Sequence, residues 1–236
     1  MAGETREEIP LTKLFETVLP YQANVYVTVL NIIQCIALAF WINEARDIIA
    51  KEELSLAWVL RSSVVLTIIL VVWHRYVSEL QYIWPITWID TFAPFLIGII
   101  ECVIIFSINP KTMSLGGFTM SIIVLQFFVI VAYRNAYYKR KMKFTEKLYQ
   151  SFYSDYPQFS FHLMNFLKGY DLWHYRVFTV FFGIYCVFLM IIILFSNDWN
   201  EIIFPIIFLG LLVQGEVFNN FQKALRKDKF VGPYFS

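Results

Sequence analysis

The chain has 236 residues, 58% of them hydrophobic and 16% charged, with a formal net charge of +1. A water-soluble domain of this length places about a quarter of its residues as charges, and a strongly basic nucleic-acid binder would not be nearly neutral. The apolar residues fall in long runs with the charges collected between them, which predicts an all-α integral membrane protein.

The chain opens with a polar, acidic stretch, residues 1–23, that lacks the basic start and short apolar core of a cleavable signal peptide. It is expected to be a cytoplasmic N-terminal segment. A bilayer crossing takes about 20 mostly apolar residues, and six runs qualify, predicting a six-transmembrane helical bundle. Four lie within residues 24–138: Asn24–Ile42, Leu56–Trp73, Trp88–Ile108 and Leu115–Tyr137. Two lie within 178–221: Phe178–Ser196 and Ile202–Phe221. Asn109-Pro110 and Asn197-Asp198 punctuate the runs where turns are needed.

Basic residues near span ends favour the cytoplasm. Lys139, Arg140, Lys141 and Lys143 open the segment 139–177, and Lys227 lies in the tail 222–236. Both stretches, and hence both termini, are expected to be cytoplasmic. The Asp198 to Glu201 turn carries no basic residue and is expected outside. Segment 139–177 interleaves its charges with Tyr149, Phe152, Phe159 and Phe166, which suits the membrane surface. Pro157 and Gly169 predict two short pieces there rather than one helix. The same basic residues are candidates for contact with lipid or with a cytosolic protein; nucleic acid is not favoured.

Polar groups inside spans are costly, so they carry the functional signal. In helix three, Asp90, Pro94, Gly98 and Glu101 recur at helical spacing and share a face. That face lines a hydrated path or packs as a seam in which Glu101 has a structural partner. Arg61 in helix two is the expected partner, because both residues fall in the outer half of the membrane; snorkelling to phosphate is the alternative. Ser63, Thr67 and His74 share a face of helix two, and Asn31 and Gln34 project from helix one, either lining a conduit or bonding between helices. Gln214, Glu216 and Asn220 gather near the inner end of helix six, as a mouth attracting cations or as a packed helix end.

Enzyme chemistry finds no recognisable set of residues. His74, His162 and His174 form no HExxH or zinc spacing, and no phosphate-cradling or nucleophile-elbow motif occurs. Cys35, Cys102 and Cys186 lie in apolar runs, as small buried hydrophobes. No catalytic residue, metal or cofactor is expected. The favoured function is an oligomeric ion channel or pore with a slight cation preference, a homo-oligomer in the lipid bilayer, in the cytoplasmic membrane if prokaryotic. The alternatives are a non-catalytic effector or interaction subunit signalled by a cytosolic partner, and a lipid-modifying enzyme.

Overall fold

The computed structural model describes residues 11–79, 88–136, 139–194 and 199–230; within these, the backbone alone is described at 11–26, 76–79, 88–91, 139–141, 169–175, 226–230 and several single positions. The described residues form seven helices: α1 (Leu11–Ala50), α2 (Leu56–Glu79), α3 (Trp88–Phe106), α4 (Leu115–Ala136), α5 (Lys139–Phe152), α6 (Pro157–Leu194) and α7 (Asn200–Phe230). Four stretches among the described residues are long and apolar enough to cross a membrane: Val27–Ala50, Leu56–Arg75, Leu115–Ala132 and Asn200–Gln222. Shorter apolar stretches, Phe92–Phe106 and Phe182–Ile192, lie in α3 and α6. The protein is an all-helical membrane protein, and its exposed surface is rich in Ile, Val, Leu and Phe, which lipid can solvate.

Side-chain pairs fix the helix directions. Trp73 bonds to Asn31 and Trp41 to Ser62, so α1 and α2 run antiparallel. The pairs Gln34–Glu101 and Phe40–Phe106 keep a near-constant separation along the chain, so α1 and α3 run parallel. Arg61–Glu201 and Arg75–Glu216 make α2 and α7 parallel in the same way. The start of α4 meets the end of α6 where Gly116 approaches Ile192, and Tyr185–Phe208 and Phe188–Phe204 set α6 antiparallel to α7.

Contacts run from α1 to α3, α4, α6, α7 and α2 and return to α1, closing a ring of six helices. Its interior is mostly apolar, with Ala37, Val64, Ile104, Ile105, Phe118 and Phe208 fully buried. Packing of this kind, by dispersion and small interlocking shapes, holds helices together where lipid removes the hydrophobic driving force between them.

Three helices far exceed a hydrocarbon core of about 30 Å. The 40, 38 and 31 residues of α1, α6 and α7 span about 60, 57 and 46 Å. By the directions above, the excess at the α1 N-terminus, the α6 N-terminus and the α7 C-terminus all falls on one side of the bundle. There α5 folds back along α6, burying Met142, Phe159, Leu163 and Phe166 in a second core, with Lys168 paired to Glu146.

Segment 139–177 thus differs from the expected interfacial loop. Pro157 does begin a new helix, where its missing N–H costs nothing. Gly169 does not end one: α6 continues through it, because a single helical glycine costs only about 1 kcal/mol.

Candidate functional site

Several polar residues of the spans meet at helix seams, and each seam follows from the helix that presents it. Between α1 and α2, indole N–H groups donate across the interface: Trp41 Nε1 to Ser62 Oγ at 2.8 Å and Trp73 Nε1 to Asn31 Oδ1 at 2.9 Å. These tryptophans act as interhelical donors.

Between α2 and α7 lie partly buried ion pairs. Arg61, fully buried, donates Nη2 to Glu201 Oε2 and Nη1 to the carbonyls of Met113 at 2.8 Å and Ser107 at 3.2 Å. Its guanidinium also lies 5.2 Å from the centre of the Phe118 ring. One side chain therefore ties α2 to the first turn of α7 and to both ends of the α3–α4 connection. Four turns further along, Arg75 Nε and Nη2 both reach Glu216 Oε2, at 2.9 and 2.7 Å. Glu216 Oε1 faces His74 Nε2 at 3.8 Å and Asn220 Nδ2 at 3.5 Å.

Between α1 and α3 the geometry differs. Gly98 is buried against Ile33, so close that a Cβ would collide with that side chain. One turn along, Glu101 is 1% exposed and Gln34 5% exposed, and Gln34 Nε2 donates to Glu101 Oε2 at 3.1 Å. Among the described residues, neither Glu101 Oε1 nor Gln34 Oε1 has a hydrogen-bond partner.

The expected Arg61–Glu101 pair is therefore corrected. Both residues are buried, but α7 supplies the carboxylate for Arg61 and α1 supplies the amide for Glu101. Glu201, expected in an external turn, lies in the first turn of α7 within reach of α2. Pro94, Gly98 and Glu101 are buried on α3, and Gly98 and Glu101 pack against α1; the side chain of Asp90 lies outside the described residues.

The recorded bonds of Ser63 and Thr67 stay within α2 and do not bridge helices. Their hydroxyls donate to the carbonyls of Val59 and Ser63, each four residues earlier, as hydroxyls in apolar surroundings commonly do. In the C-terminal half of α7, Glu216 is held by Arg75, while Gln214 and Asn220 are exposed on the bundle surface. Cys35, expected to be buried, is exposed; Cys102 and Cys186 are half-buried. Lys143 is exposed on α5, and the side chains of Lys139, Arg140, Lys141 and Lys227 lie outside the described residues. Among the described residues no three His, Cys, Asp or Glu side chains gather to hold a metal.

Comparison with known proteins returns no match: no family model fits the chain, and neither a curated protein nor a solved structure is similar to it.

Proposed function

We propose that this protein carries a small cation across the bilayer, as an assembly of six-span subunits with both termini in the cytoplasm, and that Glu101 is the group the cation meets. The reading rests on one observation. Glu101 is a carboxylate buried in a membrane helix whose recorded partner is a neutral amide rather than a cation. A lone carboxylate at such a site is costly and usually serves ion or proton movement. The buried arginines do not share that role, because each is matched by a glutamate on α7.

Assembly into an oligomer is supported by the outer surface of α2 and α7. His74, Gln214 and Asn220 are exposed there beside apolar residues that suit lipid. Polar groups on such a face are better served by another protein surface than by acyl chains.

Purified protein in liposomes tests the proposal, with proton and alkali-cation flux read separately and normalised to correctly assembled protein. The expected result is flux above that of empty liposomes and its loss in Glu101→Gln. Wild-type protein that moves no cation removes the reading.

A second reading, a membrane effector that receives a cytosolic partner, is favoured by the α5–α6 hairpin with its own core on the overhanging side. Stable recovery of a cytosolic protein on that hairpin, without flux, would select it.

A further inference from the structure

An ionised carboxylate and an amide oxygen are both acceptors. At the α1–α3 seam this leaves an imbalance. The Gln34 amide satisfies Glu101 Oε2, while Glu101 Oε1 and Gln34 Oε1 remain buried acceptors with no donor among the described residues. Rotating the amide by half a turn adds no hydrogen-bond donor to the seam.

The surrounding charges do not supply the missing donor. On α2, Arg61 faces Glu201 and Arg75 faces Glu216, with His74 on the same carboxylate. On α1, the charged residues Glu44, Arg46 and Asp47 lie ten or more residues from Gln34, about 15 Å or more along the helix. On α4, Arg134 is exposed near the far end, and on α3 itself Cys102 is half-buried beside Glu101.

A metal cation fits the seam poorly. Calcium and magnesium take about six or more oxygens, and the side chains here leave two. Carbonyls near residues 34 and 101 belong to continuous helices and are already spent on helical N–H groups. A single proton fits: on Glu101 Oε1 it turns an acceptor into a donor opposite an amide that still lacks one, and it removes the buried charge.

We propose that Glu101 binds a proton in the resting protein, with Glu101 Oε1–H donating to Gln34 Oε1 while Gln34 Nε2–H donates to Glu101 Oε2. The pair is a closed acid–amide ring, and the proton is the cation that the protein moves. The last step rests on the transport reading; the proton on Glu101 does not.

Infrared spectroscopy of the full-length protein in lipid nanodiscs, at about pH 7, tests this without any flux. A protonated-carboxyl C=O band is expected in the wild type. It should disappear in Glu101→Gln and shift to higher frequency in Gln34→Leu, which removes the amide. If Glu101→Gln does not assemble, Glu101→Asp in protein carrying 13C-labelled glutamate serves instead, and the band should then lose its isotope shift. Absence of the band from the wild type, or its persistence in Glu101→Gln, overturns the bound proton. A band unmoved in Gln34→Leu overturns the ring. Proton flux without the band leaves the transport reading standing and sinks this inference; the band without any flux does the reverse.

Discussion

At the scale of single residues, Arg61 shows how a buried charge is made tolerable in lipid. Its guanidinium is served by a carboxylate, two carbonyls and an aromatic ring rather than by one counter-ion. Arg61→Ala leaves Glu201 and those carbonyls without their donor, and removing one member of a buried pair costs about 3–5 kcal/mol. Loss of the monodisperse species on mild heating in detergent should report it. The charge swap Arg61→Glu with Glu201→Arg should fail to restore stability, because a carboxylate at position 61 would face the carbonyls of Ser107 and Met113. A pair defined by Coulomb attraction alone would recover in the double variant. Glu53, in the connection between α1 and α2, behaves differently because it is at the surface. Its hydrogen bond from Lys111 at 2.8 Å holds its carboxyl below the usual carboxylate range. A lowered carboxyl pKa stabilises the fold above the ordinary range, and that contribution is lost as pH falls through the lowered value. Amide exchange in residues 51–55 and 109–114 should therefore rise in acid for the wild type, and be already raised and insensitive to acid in Glu53→Gln.

At the scale of helices, the α1–α3 seam depends on the missing side chain of Gly98. Gly98→Ala places a methyl group against Ile33, and overpacking of this kind costs about 1–3 kcal/mol. Ile33→Ala alone opens a cavity, whereas the double variant should be more stable than the sum of the single effects predicts. Thermal melts of the four proteins decide it, and strict additivity would mean that the helices do not meet there. The sequence made the helices legible and their neighbours much less so. Apolar runs placed the start of α2 and both ends of α3 and α4 within a few residues, because length and hydropathy are local properties, whereas α2 continues past the expected Trp73 to Glu79. Lateral pairing is not local, and Arg61 was matched to Glu101 on depth alone. A usable signal was nevertheless present in spacing. Arg61 and Arg75 are 14 residues apart and Glu201 and Glu216 are 15 apart, rises of about 21 and 22 Å. Parallel helices with matched intervals can close both pairs together. Gln34 was recognisable as a polar residue in a span, but nothing in the pattern marked it as the partner of Glu101. The continuous α6 was hidden because Gly169 and the surrounding charges read as a break, whereas packing against α5 and length carry the helix through.

At the scale of the whole molecule, the overhanging ends of α1, α6 and α7 lie on the side that the basic residues assign to the cytoplasm. Cysteines introduced at Lys143 and Lys168 should therefore label from one side of a sealed vesicle, and those at Glu53 and Lys111 from the other. Labelling of Lys168 and Lys111 from the same side would defeat the six-span map. The parallel pairing of α2 with α7 has a consequence for synthesis. Arg61 and Arg75 enter the membrane about 140 residues before Glu201 and Glu216 are made, so the nascent bundle carries two guanidinium groups without their α7 carboxylates until its last helix arrives. Completion of α7 acts as the event that commits the protein to its fold, and a chain stopped after residue 194 should be cleared by the cell rather than accumulate as a five-helix fragment.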